Sequence, residues 1–272
     1  TLNEALKSRL RRLNRTITQS KEECKYFPSN KVELSKIIKE RVNEDPECDL
    51  NDIWVGDIKD MSLLFRHSNF NGDISRWNVS NVKSMTRMFE KSQFDGDISA
   101  WDVSNVETMN CMFQYSDFNG DISSWDVGNV KNMGWMFDTS LFNGDISRWD
   151  VSEVIEMTAM FKNSTFNGDI SDWNVRKVND MTCMFEGSNF NGDINRWNVR
   201  NVKDMNNMFF TSKFKGDISS WDVSSVRDMS SMFSESIFDG DISSWDVSSV
   251  NYMNSMFAKS NFKGDISKWN VS

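Results

Sequence analysis

Apolar residues return along this chain at a fixed interval. Trp occupies positions 77, 101, 125, 149, 173, 197, 221, 245 and 269, one every 24 residues. Phe, Gly and Asp keep the same frame from Phe70, Gly72 and Asp73 to Phe262, Gly264 and Asp265, and a Met-Phe pair runs from Met88-Phe89 to Met256-Phe257. One unit, residues 70–93, reads FNGDISRWNVSNVKSMTRMFEKSQ. In it Trp77 and Val79 alternate with Arg76, Asn78 and Ser80, the pattern of a short strand with one buried face. Val82, Met85, Met88 and Phe89 then fall at i, i+3, i+6 and i+7, one face of a short helix or helical turn. Between Ser92 and Gly96 the chain turns back, with Gly at this position expected to adopt a backbone conformation other residues resist.

Such a unit cannot cover its own apolar face, so consecutive units are expected to stack. The predicted fold is an α/β solenoid over residues 49–272, a stack of about nine 24-residue strand-plus-short-helix coils. Its start is a degenerate unit in which Asp49, Leu50, Ile53, Val55, Ile58, Met61, Leu64 and Phe65 hold the phases of Asp73, Ile74, Trp77, Val79, Val82, Met85, Met88 and Phe89. At about 4.8 Å between neighbouring strands the stack would be on the order of 45 Å long.

Residues 1–48 follow another rule and form a helical N-terminal segment and cap. Leu2, Leu6, Leu10, Leu13 and Ile17 line one helical face, with Lys7, Arg9, Arg11, Arg12 and Arg15 around it. A second helix is predicted from about Asn30 to Val42: Asn30 with Glu33 resembles a capping box, Val32, Leu34, Ile37 and Ile38 are apolar, and Pro46 follows. The second helix reads best as a cap on the first coil. The first is open between cap, linker and a contact with a partner or a membrane surface.

Charge separates the two parts. The net charge of −9 divides into +3 for residues 1–48 and −12 for the repeats. An acidic stack argues against nucleic acid, whose phosphates need a basic footprint. One His and four Cys leave too few ligands or bases for a multi-His or multi-Cys zinc site, a His-based triad or a dense disulfide framework. No cofactor is implied and the chain reads as non-enzymatic. No apolar run is long enough to span a bilayer. Cys111 and Cys183 share one phase three coils apart, beyond bridging distance, and are expected to be free; Cys24 and Cys48 could pair.

The unit FNGDIS-x-WDVSNV-x-x-M-x-x-MF resembles the repeats of BspA-type leucine-rich repeat surface proteins, including the mycoplasma repeats of unknown function. The resemblance covers residues 49–272. Ile74-x-x-Trp77-x-Val79 is similar to the LxxLxL strand of leucine-rich repeats, whereas Val82 stands where the common repeat places Asn, so an asparagine ladder is not expected at that phase. Val82-x-x-Met85-x-x-Met88-Phe89 is closer to the treponemal subclass. The resemblance implies a binding or adhesion scaffold at the cell surface or outside the cell; a cytoplasmic location is the alternative.

Candidate chemistry lies in polar rows and in departures from the rule. The row from Asp49 and Asp73 to Asp265 places carboxylates about 5 Å apart, a repulsion of roughly 0.8 kcal/mol per neighbour pair even in water. Either each Asp accepts backbone N–H bonds in its own turn or cations such as calcium lie between coils. A second row, Asn78, Asp102, Asp126, Asp150, Asn174, Asn198, Asp222, Asp246 and Asn270, is expected on the outer strand face, as a surface for basic protein segments or polar glycans or simply for solubility. Ser68 through Ser260 read as hydrogen-bonding turns. Tyr115, Trp135, Leu141, Ile155, Phe210, Ile237 and Tyr252 break otherwise polar phases. Trp135, Tyr115, Phe210 and Tyr252, with Asp102, Asp126 and Asp150, are the candidate partner-binding residues. A stiff spacer in a larger assembly is the competing role, a calcium-stabilised repeat domain another. Because the sequence stops at Ser272, leaving Ile266, Trp269 and Val271 as an open strand edge, the chain is expected to continue, or to be covered by a partner or by end-to-end self-association.

Overall fold

The structure, a computed structural model, describes residues 18–271; the first expected helix, with Leu2 to Ile17, lies outside them. The second helix is present as α1, Lys31–Glu44. It begins as the sequence implies. The Asn30 side-chain oxygen accepts from the N–H of Val32 and Glu33 at 2.9 and 3.1 Å, and the Glu33 carboxylate reaches back to Ser29, accepting from its N–H and its hydroxyl. Leu34, Ile38 and Val42 are buried in one apolar cluster with Leu50, Ile53 and Phe65, so α1 covers the side of the first unit. Val32, read as an apolar position of that helix, is instead 77% exposed. Lys31–Asp60 and Arg41–Asp52 ion pairs tie the helix to the repeats.

From Asp49 onward, units are joined at equivalent positions. Single parallel bridges link Asp60, Ser84, Thr108, Asn132, Glu156, Asp180, Asp204, Asp228 and Tyr252 in series. Around them the N–H groups of Met85, Arg87, Phe89 and Lys91 donate to the carbonyls of Thr108, Asn110, Met112 and Gln114 in the next unit, at 2.8–3.0 Å. The intervening Met88, Glu90 and Ser92 donate three residues back, to Met85, Arg87 and Phe89. Bonds within the unit and bonds to the neighbour thus alternate residue by residue.

This alternation replaces the expected short helix. Arg87 and Lys91 have φ of 56° and 53°, and the same two rows are left-handed in every other unit from Leu63 and His67 to Ser255 and Lys259. A helix needs φ near −63° throughout, so these rows forbid one and turn the segment into a run of tight turns whose i, i+3 spacing mimics a helix face. The expected strand is also absent: Trp77 and Val82 N–H donate to Ile74 and Val79 carbonyls, closing turns instead of a ladder. Among the described residues no strand longer than a single bridge occurs.

The core nevertheless holds the residues the periodicity selected. Trp77, Val79, Val82, Met85, Met88 and Phe89 are all at most 1% exposed. Ring stacks run along the units: Phe89–Phe113 at 5.7 Å between centroids, Phe94–Phe118 at 6.3 Å, Trp77–Trp101 at 6.4 Å. Each Trp of the 24-residue row also donates its indole N–H to a main-chain carbonyl of the preceding unit, from Trp77 to Leu50 through Trp269 to Ile242, at 2.9–3.1 Å. A buried indole needs such an acceptor, and here the row of Trp doubles as a row of inter-unit bonds. The glycine row has a different cause from the expected one: only Gly187 has positive φ among the described glycines. At Gly120 a Cβ would stand 2.9 Å from the Phe118 ring, so the ring folded over the turn excludes any side chain. In the last unit the same apolar positions are less covered: Ile266 is 36% exposed against 1% for Ile242.

Candidate partner-binding face

The constant polar residues are occupied in holding turns. Every Asp of the first row accepts the N–H two residues on, from Asp49 with Asn51 to Asp265 with Ser267, at 2.7–3.0 Å. These bonds hold the carboxyls of Asp145, Asp169, Asp217, Asp241 and Asp265 below the usual carboxylate range. The Asx-turn alternative therefore accounts for the row. Among the described residues no group of three or more His, Cys, Asp or Glu is placed to hold a metal ion. The Ser row closes turns likewise, Ser92 Oγ accepting from Phe94 N–H at 3.1 Å.

The second row lies outside the core as expected, exposed at Asp150, Asn174, Asn198, Asp222, Asp246 and Asn270, but in turns and not on a strand. Asp102 accepts from both the N–H and the hydroxyl of Ser104, Asp126 from Gly128 N–H, and Asp150 from Ser152 N–H. Asp102 and Asp126 are half-buried and Asp150 exposed. With no strand at Trp77–Val79, these side chains fold back on their own turns.

Two asparagine ladders escaped the sequence reading. Asn71, Asp95, Asn119, Asn143, Asn167 and Asn191 each accept, on the side-chain oxygen, the N–H of the residue one unit later, at 2.7–2.9 Å. Lys215 interrupts this ladder, which resumes from Asp239 to Lys263. In the second, Asn81, Asn105, Asn129 and Asn201 donate to carbonyls of the preceding unit at 2.7–2.8 Å. As expected, neither lies at the Val82 phase. The signal was available, an Asn or Asp recurring beside Gly72, but it was masked by the more regular Asp73 row.

The rows through Ser84, Arg87, Glu90 and Lys91, on the bridged side, vary widely, as do the rows through Arg76 and Gln93. Trp135 belongs to the left-handed row of Arg87, at φ 54°, and Tyr115 to that of Lys91, also at φ 54°. Tyr115 is 48% exposed, with the Lys91 ammonium 5.3 Å from its ring centre. Trp135 and Phe210 are half-buried; Tyr252 ends the series of bridges and is 62% exposed. Phe210 stands in a row of inter-unit polar pairs: Arg66 with Glu90, Gln114 with Asp138, Lys162 with Glu186. Burial pushes the Asp138 carboxyl above its ordinary range. Thus Tyr115, Trp135, Phe210 and Tyr252 lie in neighbouring rows of one face, whereas Asp102, Asp126 and Asp150 belong to a different part of the unit.

Equivalent rings are 6.4–6.5 Å apart in the Trp row and 5.7 Å at Phe89–Phe113, while parallel backbone bridges close to about 4.8 Å. Neighbouring units thus stand further apart at the Trp row than at Phe89, a spread that would curve a stack with the bridges inward.

A family model for mycoplasma proteins of unknown function, DUF285, matches residues 33–141, 114–213 and 187–272. The chain belongs to the DUF285 family. The mycoplasma repeats in the sequence resemblance are thereby the right kin, and the tandem matches establish a repeat protein. No curated protein and no solved structure matches the chain. DUF285 is not a known enzyme family. No helix among the described residues of this DUF285 chain is long and apolar enough to cross a membrane. All four cysteines are free, and burial raises the Cys111 and Cys183 thiols to about 11 and about 12.

Proposed function

We propose that this DUF285 chain is a non-catalytic solenoid scaffold that binds a protein partner through its concave, bridged face. The observation that carries the reading is the division of labour in each unit. Constant residues are buried or closed into turns, and the aromatic residues that break the repeat, Tyr115, Trp135, Phe210 and Tyr252, stand in neighbouring rows on the bridged side, the side on which a curved stack presents a concave binding surface. Tyr115 and Trp135, in adjacent units, are the aromatic anchors, with Tyr252 extending the face toward the other end. The BspA-type resemblance supports placement at the cell surface.

Affinity capture from extracts of the source organism by the wild-type chain and by the double variant Trp135→Asn/Tyr115→Asn tests this. Asn tolerates left-handed backbone, so the variant should melt like the wild type. The expected result is a protein retained by the wild type and, once purified, bound about tenfold or more weakly by the variant. Equal binding by both sinks the assignment.

A further inference from the structure

Val32 of α1 and Leu63 of the first unit are both exposed, at 77% and 46%, and both line one groove of about 720 Å³ between the helix and the turn at residues 62–67. Leu64 continues the apolar surface, and Lys36, Lys39 and His67 stand around it. Leu63 holds φ 69°, a left-handed conformation that L-residues resist. The same row elsewhere carries Arg87, Cys111, Ala159, Asn207 and Ser231, so the backbone has no need of leucine. A large apolar side chain in strained backbone, half in water, is doubly unfavourable unless something else uses it.

Charge narrows what that is. In a chain of net charge −9, the lining of this groove has four Lys or Arg and a single carboxylate, Glu40. Lys31 and Arg66 are paired with Asp60 and Glu90, outside the lining, and Lys36 touches Glu40 only at 4.0 Å, leaving Lys36 and Lys39 to set the sign of the rim. Residues 1–17 are a poor occupant, since Lys7, Arg9, Arg11, Arg12 and Arg15 against Glu4 give that segment the same sign as the groove.

We propose that this groove docks a short acidic, apolar-anchored peptide segment of a partner protein. Its aliphatic or aromatic side chains pack between Val32 and Leu63, and its Asp or Glu side chains meet Lys36 and Lys39. The site is separate from the concave face, and neither reading depends on the other.

A displayed library of random peptides of about 12 residues, long enough to span such a groove, is panned on the full chain, and enriched peptides are titrated by fluorescence anisotropy. Expected are net-negative sequences with large apolar residues, bound about tenfold or more weakly by Leu63→Asn and by Lys36→Glu/Lys39→Glu. Leu63→Asn relaxes the backbone, so its melting temperature should equal or exceed that of the wild type, which separates lost binding from lost folding. The proposal is overturned by an absence of enrichment, by enriched peptides without acidic character, or by affinities that either variant leaves unchanged. Self-association abolished by Leu63→Asn, in sedimentation velocity, would assign the groove to a second copy. Faster tryptic cleavage at Lys7 to Arg15 in that variant would assign it to residues 1–17. Either outcome replaces the acidic peptide.

Discussion

Replacing Thr211 by glycine should stabilise this chain, although a glycine in regular structure normally does the reverse. Thr211 sits at φ 53°, exposed, with its N–H bonded to the Ser234 carbonyl at 3.0 Å. A branched side chain in left-handed backbone costs roughly 1–2 kcal/mol. Glycine removes that strain and gives back about 0.4–1 kcal/mol through the greater freedom of the unfolded chain. The net gain is about 0.5–1 kcal/mol on those figures. One unit earlier the same position is Gly187, at φ 62°. Lys213→Gly, two residues on and also exposed but outside the left-handed rows, is the control and should lose roughly 0.5–1 kcal/mol. The two variants should therefore melt about 3–6 °C apart, Thr211→Gly higher, followed by tryptophan fluorescence. Midpoints are the quantity to compare, because a repeat array need not unfold in two states. If Thr211→Gly melts at or below Lys213→Gly, the left-handed rows are not where the strain lies.

Three further outcomes follow from the same geometry. Lys215→Asn restores a side-chain acceptor for the N–H of Asp239 where the ladder from Asn71 breaks, and should add about 1 kcal/mol; a lower melting temperature would contradict the ladder's role. Asp138→Asn should raise the melting temperature at neutral pH. Burial raises the Asp138 carboxyl above its ordinary value, so the ionised group opposes folding above its shifted pKa, and the advantage of the variant should shrink as pH falls into the ordinary carboxylate range and the wild-type carboxyl takes up its proton. A gap independent of pH would refute burial of the charge as its cause. Cys111, buried, and Cys183, half-buried, with thiols raised to about 11 and about 12, should resist iodoacetamide at pH 8 until the chain is unfolded; mass spectrometry showing early labelling at either would refute the raised thiol at that site.

The sequence reveals more about burial than about backbone. The 24-residue frame identifies which side chains face inward, because Trp77, Val79, Val82, Met85, Met88 and Phe89 must each meet their copies whatever the chain does between them. It does not distinguish a helix from consecutive turns, since both place i, i+3 and i+7 on one side. The decision rests on φ at Arg87 and Lys91, and only Asn163, Gly187 and Asn207, scattered through those rows, hint at it. The glycine row is ambiguous for a similar reason: a residue without a Cβ serves a turn or a close ring equally well, and here Phe118 and its equivalents decide. Of the candidate site residues, the aromatics were legible as departures from a rule. The Asp102 row was legible as lying outside the core but not as a set of turns, because that reading depended on a strand that the turns at Trp77 and Val82 replace. The groove beside Leu63 needed the helix and the first unit together, which no single stretch of sequence contains.

The bonds between units join a position to its copy one unit away, or to a residue within three of that copy. Duplicating or deleting one whole 24-residue block, wherever the cut falls, leaves the remaining residues with partners of the same kind. Gene length can then drift in whole repeats without creating an unpaired amide, and alleles of different repeat number should fold alike. What such drift alters is reach: each added block lengthens the inner face by about 4.8 Å and brings a fresh set of variable residues for selection to act on.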